Sequence, residues 1–265
     1  MSEIVGTGNG TDVIAPVRVY LDASGTAREQ RVWAVGGWLG TADQWDHFIN
    51  AWRVMLDAAP FGPDVKRMFH AADLESLKGT YSGWTDTQKK DFQGVAYGLI
   101  GRYSFTAVSS SLIKEDWKAV GPRLSTIADG HPGNYYVHSV ADVLSSVRKW
   151  ADAENYDGPI HYYFEADTIG QGSVIQFLRA ACGDPKRRQR ARMASCTFAG
   201  KEVLPLQAAD VWAYEAYKQM LNRIIDGRTR LPRHPFLQLW RERYAPYNGY
   251  WDRERLERLL EKATP

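Results

Sequence analysis

The chain has 265 residues with a formal net charge of +2 at pH 7, and it is 44% hydrophobic and 24% charged. That is enough for a sizeable core in one large domain, and the near-neutral balance excludes a global field drawing the protein to nucleic acid or membrane, so any such attraction must be local. Two cysteines, Cys182 and Cys196, are too few for a disulfide framework or a cysteine metal site, no apolar run approaches the roughly 20 residues of a membrane span, and no basic-then-apolar leader opens the chain; we therefore expect a cytoplasmic protein.

Met1 to Ala15, rich in Gly, Thr and Asn, has no periodicity and reads as a flexible tail. Val17 to Asp22 alternates apolar and polar residues as a first strand ending on Asp22. Arg31 to Leu39 is a second β-rich run, and the turn chemistry between them, including Ser24 and Gly25, predicts a hairpin. Thr41 with Gln44 forms a capping-box signature before an apolar face of Trp45, Phe48, Ile49, Trp52, Met55 and Leu56, which Pro60 ends. Val65 to His70 reads as a short third strand leading into an FHAADL turn. Thr85 with Gln88 opens a second capped helix through about Arg102, and Tyr103 to Ile113 is β-rich and buried on one side.

A loop is expected around Gly121, Pro122, Pro132 and Gly133, then a helix from about Asn134 to Ala153. Ile160 to Phe164 is a strand that delivers Glu165 and Asp167 to its carboxyl end. A helix follows through about Cys182, GDPKRR reads as a turn, and Arg190 to Phe198 as a last strand. Leu204 to Tyr217 is helical, as are Phe236 to Tyr244 and Asp252 to Lys262. Strands that gather early and alternate with helices later predict a mixed α/β fold, a central mixed sheet flanked by helices. The expected division is a core domain over 16–226 and a helical C-terminal extension over 227–265.

The most informative stretch is LPLQAADVWAYEAY at 204–217. Pro205 suits a first helical turn. Leu206, Asp210, Ala213, Tyr214, Tyr217 and Leu221 then fall on one face, so the carboxylate of Asp210 lies on an apolar stripe with no cation beside it. An unpaired buried carboxylate is costly, so something elsewhere must compensate it. A bound cation or ligand would do so, and so would a backbone N–H or a distant Arg. Gln207, on an adjoining face, is a candidate to orient a ligand or a water.

Asp22, Glu165 and Asp210 occupy comparable positions, two at strand ends and one on an inward helix face. If the first and later strands run parallel, all three can share one rim at the carboxyl ends of the sheet. Carboxylates brought together repel unless a cation holds them, and an all-oxygen set suits Mg²⁺ or Mn²⁺. One or two such ions can activate a water and stabilise the leaving oxygen of a phosphodiester. His70 is a proton carrier or metal ligand beside such a site, or a histidine hydrogen-bonded beneath the FHAADL turn. Lys186, Arg187, Arg188, Arg190 and Arg192 form the densest basic run, suited to a phosphate backbone and equally to a solvated surface. Ser24 is a supporting residue or simply part of the hairpin turn.

YLDASG at 20–25, FHAADL at 69–74 followed by Gly79 and Trp84, YYFEAD at 162–167 and LQAADVWAYE at 206–215 together resemble the domain-of-unknown-function family 3800, a branch of the ribonuclease H-like superfamily. The resemblance runs from about Val17 to Tyr217, and the LQxAD helix is its most specific mark. It implies a ribonuclease H-like core with an acidic, divalent-metal-dependent site. In that site Asp22, Glu165 and Asp210 match the family's carboxylates and His70 matches its recurring histidine. Ala23 departs from the pattern, which commonly carries Glu there; Asp167 is the candidate for the missing oxygen.

The functional expectation is a divalent-metal-dependent nuclease that hydrolyses phosphodiesters, with nucleic acid as partner, Asp22, Glu165 and Asp210 as ligands, Asp167 and His70 as auxiliaries, and the basic run steering substrate. The alternative is a non-catalytic nucleic-acid-binding or interaction protein whose acidic set has decayed at Ala23. An actin-like phosphotransfer enzyme ranks behind both, because LDASGT has no second phosphate loop downstream.

Overall fold

The computed structural model describes residues 15–103, 106–127, 134–166, 168–225, 237, 239 and 247–263. Strand β1 (Val17–Ser24) alternates as its sequence predicts. Val17, Val19 and Leu21 enter one core, and Tyr20 enters another on the opposite face. The hairpin forms: β2 (Val32–Thr41) runs antiparallel to β1, with Asp22 opposite Gly36. Gly25 takes a φ of 78° in the connection, the left-handed geometry that glycine adopts without a Cβ penalty. Helix α1 (Ala42–Ala58) starts at the expected capping box: Gln44 N–H donates to Thr41 Oγ1, and Thr41 N–H donates to Gln44 Oε1.

Short helix α2 (Ala71–Ser76), a 3₁₀ turn (Gly79–Tyr81) and α3 (Asp86–Tyr103) lead to β3 (Thr106–Ile113), antiparallel to β2. Then come α4 (Lys114–Ile127), α5 (Tyr135–Ala153), β4 (Ile160–Glu165), α6 (Gln171–Gly183), α7 (Pro185–Arg190), β5 (Met193–Ala199), α8 (Leu204–Ile225), β6 (Tyr247–Trp251) and α9 (Arg253–Ala263). The six strands form one mixed sheet in the order β5-β4-β1-β2-β3-β6, with β4 parallel to β1, β5 parallel to β4 and β6 parallel to β3. Helices α4, α5, α6 and α9 bury one face around Trp33, Val140, Tyr162 and Phe164. Helices α1, α2, α3 and α8 bury the other around Trp38, Trp45, Trp52, Phe69 and Trp212. The expected mixed sheet flanked by helices is what the chain forms, and among the described residues no helix is long and apolar enough to cross a membrane.

Several local expectations need correction. Residues 65–70 join no ladder, because the backbone around Phe69 is claimed by α8 instead of a neighbouring strand. The loop expected at Gly121 and Pro122 is helical: Trp117, Val120 and Leu124 recur at helical spacing, and their burial outweighs the two breakers. GDPKRR is a helix start, with Pro185 as its first residue and Asp184 Oδ1 accepting the Lys186 N–H. Strand β3 is buried on both faces instead of one. The C-terminal extension contributes an edge strand, β6, before its helix, so it is not purely helical; the helix expected over Phe236 to Tyr244 lies outside the described residues except at 237 and 239.

Candidate functional site

Leu21 and Phe164 are register partners on the parallel strands β1 and β4 and both point into the α5 core. The next residues, Asp22 and Glu165, therefore turn to the opposite face together at the carboxyl ends of their strands. Helix α8 crosses that face. It packs against β1 and β2 and touches β4 only lightly, and it lies close because β2 offers glycine there: a Cβ on Gly36 would stand 3.1 Å from Ala213 Cα. From Pro205 to Ala213 the helix is buried all round, so the single apolar stripe expected for it is too narrow a description. Asp210 consequently reaches Asp22 and Glu165. The three strand-end and helix carboxylates converge as their placement in the sequence suggests.

The compensating charge is Lys201, a residue the sequence reading did not single out. It stands in the turn between β5 and α8. Its Nζ lies 3.2 Å from Asp210 Oδ1, 3.2 Å from Glu165 Oε1 and 3.4 Å from Asp22 Oδ2, and the lysine side chain is only 9% exposed. Its place follows from β5, which runs parallel to β4 and so returns to the same rim. An isolated lysine in AGKEV carries no periodicity that announces it.

Asp210 also accepts the Ala71 N–H at Oδ2, 2.6 Å away. The backbone N–H reading and the cation reading of this carboxylate are thus both realised. The Gln207 amide is bonded to protein groups. Its Oε1 accepts from Phe69 N–H and from Trp52 Nε1, both at 2.9 Å, while its Nε2 donates to the Lys201 carbonyl at 2.7 Å. One buried amide therefore fixes the approach of residues 69–71 and the turn that carries Lys201.

Electrostatics separate the acids. Burial pushes the Asp22 carboxyl well above its usual range, Lys201 only partly offsets this, and neighbouring Glu165 and Asp210 add to the rise. Burial acts the same way on Asp210, but Lys201, the nearby His70 and the Ala71 N–H outweigh it and hold that carboxyl below its usual range. Burial lowers the Lys201 pKa, yet its three carboxylates more than reverse this, so the ammonium is held charged. Asp22 Oδ1 accepts the Ala23 N–H at 2.6 Å; Oδ2 is buried and makes no hydrogen bond among the described residues.

His70 is the N-cap residue of α2, half-exposed, with Nδ1 3.1 Å from Asp73 Oδ2. It stands within the FHAADL turn, one residue before Ala71, whose N–H reaches Asp210. Ser24 closes β1 opposite Ala34 and belongs to the hairpin. Asp167 lies outside the described residues. The basic run does not join the site. Helix α7 and Arg192 precede β5, whose first residue, Met193, pairs with Ile160, whereas its last, Ala199, pairs with Glu165. At about 3.3 Å per residue the run lies roughly 20 Å from the carboxylates, at the other end of the strand. Lys186 and Arg188 are exposed there, and Arg192 Nη2 is 3.2 Å from Asp152 Oδ1. Arg187 and Arg190 fall within α7.

Three carboxylate oxygens facing one point are hard donors of the kind Mg²⁺ and Mn²⁺ take, and Asp22 Oδ2, buried without a hydrogen bond among the described residues, has the Lys201 ammonium at 3.4 Å as its counter-charge. The donor set fits such an ion. The spacing is that of an ammonium: Mg²⁺ needs about 2.0–2.1 Å to each oxygen. Accordingly, among the described residues no group of three or more His, Cys, Asp or Glu side chains is drawn close enough to hold a metal ion. No protein-family model matches the chain, and no curated protein matches it.

Proposed function

We propose that the chain is a divalent-metal-dependent phosphodiesterase acting on nucleic acid, a ribonuclease H-like protein of the kind that domain-of-unknown-function family 3800 comprises. One observation carries this reading: Asp22, Glu165 and Asp210, from two parallel strands and a crossing helix, direct one oxygen each to within 3.4 Å of a single point. A mixed sheet with an acid on its first strand, one on a later strand and one on a helix near the carboxyl terminus supports the carboxylate positions that the sequence resemblance implies.

A bound Mg²⁺ or Mn²⁺ would supply water activation and charge stabilisation at the phosphate. Asp22, Glu165 and Asp210 would hold it. Gln207 and the Ala71 N–H fix the orientation of the Asp210 side of the site. His70 stands half-exposed beside Ala71, with Nδ1 3.1 Å from Asp73 Oδ2. Ala23 supplies a backbone N–H to Asp22 and no fourth carboxylate, which favours a single ion.

Lys201 favours a second reading. An internal ammonium already bridges the three carboxylates, as expected of a nucleic-acid-binding or interaction protein that keeps the fold without metal chemistry. Cleavage of labelled single- and double-stranded DNA, RNA and hybrid, with Mg²⁺ or Mn²⁺ and with chelator, separates the two. Metal-dependent cutting lost in Asp22→Asn and Asp210→Asn is the expected result. Salt-sensitive binding without cutting in any lane would move the assignment to the binding protein.

A further inference from the structure

Nothing in the reading above requires a lysine at the centre of the acidic cluster, and a purely structural buried salt bridge is a poor stabiliser, because desolvating the charges offsets their attraction. Lys201 is nevertheless within 3.4 Å of all three carboxylates. Its backbone is anchored independently of that contact. The Lys201 carbonyl accepts from Gln207 Nε2, Val203 N–H donates to the Gly200 carbonyl at 3.1 Å, and Gly200 N–H donates to Glu202 Oε1 at 3.1 Å. The turn is fixed while the four-carbon stem of the side chain retains its rotatable bonds. An ammonium and a divalent cation cannot share one three-oxygen cage, since like charges at contact distance repel.

We propose that Lys201 is a positioning residue and an internal counter-cation: its ammonium holds Asp22, Glu165 and Asp210 together when no divalent cation is bound and withdraws when one binds. Cation binding is then an exchange, one internal charge leaving as an external one enters. This rests on the metal-dependent reading of the same site. Two consequences follow. The empty site is assembled instead of splayed by repulsion, and the apparent affinity for the cation is lowered by the fraction of molecules in which Lys201 still fills the cage.

The test uses the full chain and Mn²⁺ as probe, comparing wild type, Lys201→Met, Lys201→Arg and Asp210→Asn by thermal unfolding in chelator and in Mn²⁺, and by calorimetric titration. Lys201→Met is expected to unfold at a lower temperature than wild type in chelator and to regain that loss in Mn²⁺. It is also expected to bind Mn²⁺ at least about tenfold more tightly, which corresponds to a cage open in about a tenth of wild-type molecules. Lys201→Arg, which keeps the charge, is expected to keep most of the chelator stability and the weak binding. A Lys201→Met chain that folds only with Mn²⁺ present meets the same expectation in its extreme form; one that folds in neither condition contradicts it. If Lys201→Met binds Mn²⁺ no more tightly than wild type while Asp210→Asn abolishes binding, the exchange is overturned and the metal reading stands. If no chain binds Mn²⁺, the metal reading falls and the exchange with it.

Discussion

Gln207 and Asp210 stand one turn apart on α8, and each accepts a backbone N–H from the same short segment: Phe69 N–H reaches Gln207 Oε1 at 2.9 Å and Ala71 N–H reaches Asp210 Oδ2 at 2.6 Å. The extended residues before α2 are thereby docked onto α8 through side chains, taking the place of a strand ladder. Gln207→Leu keeps the volume and leaves Phe69 N–H, Trp52 Nε1 and the Lys201 carbonyl without this partner. We expect a loss of roughly 2–4 kcal/mol, since a buried donor left unsatisfied costs about 1–3 kcal/mol. Urea unfolding measures it, and a loss under half a kcal/mol would show that water or relaxation replaces the clamp.

Asp210 carries both a backbone contact and the Lys201 contact, so Asp210→Ala and Asp210→Asn should differ. Breaking a buried pair by deleting one partner costs about 3–5 kcal/mol. Asparagine retains an acceptor for Ala71 N–H and should recover part of that. Equal losses in the two variants, measured by denaturant midpoints in chelator, would mean the Ala71 bond contributes nothing.

The pH dependence has a definite sign. Asp22 has its folded pKa raised above the usual 3.8. The folded chain therefore binds that proton more tightly than the unfolded chain. The resulting stability is complete below the unfolded value and is lost as pH rises through the folded one. Asp22→Asn cannot lose a proton, so relative to it wild type should weaken between about pH 4 and neutrality. Urea midpoints for both proteins at pH 4, 5.5 and 7 in chelator check this; parallel curves would show that Asp22 is not perturbed by its neighbours.

Gly36 lets α8 approach the sheet beside Asp22. A Cβ there meets Ala213 Cα and Trp212 Cδ1, each at 3.1 Å, whereas a Cβ on Gly94 in α3 meets nothing within 4 Å. Gly36→Val is expected to cost about 1–3 kcal/mol by overpacking. Gly94→Ala is expected to be neutral or to stabilise by up to about 1 kcal/mol through helix propensity. Thermal unfolding of both variants decides the matter, and a neutral Gly36→Val would mean α8 can lift away freely.

The basic run and the carboxylates lie at opposite ends of β5. If nucleic acid is the substrate, Lys186→Ala with Arg188→Ala should leave cleavage of a dinucleotide unchanged, because so short a strand cannot span roughly 20 Å with both ends engaged. Longer strands should bind more weakly and with a smaller salt slope. An equal loss on short and long strands, measured by fluorescence anisotropy, would place the run within the reacting site.

The alternating strands β1 and β4, the capped helix α1, the hairpin and helix α8 are legible in the amino-acid order, because each is written in local periodicity and capping chemistry. That order also marked Asp22, Glu165 and Asp210, since acids at strand ends and on a buried helix face stand out against their neighbours. Tertiary structure alone decided the rest. Strand β4 pairs parallel to β1, which turns Asp22 and Glu165 to one face. Packing kept Gly121 and Pro122 inside a helix, because three buried side chains at helical spacing outweighed two breakers. Gln207 became a clamp only once residues 69–71 lay beside it. Lys201 could be found only in three dimensions: it meets Glu165 and Asp22, 36 and 179 positions away, because β5 returns to the rim where β1 and β4 end, and local pattern holds no record of contacts at such separations.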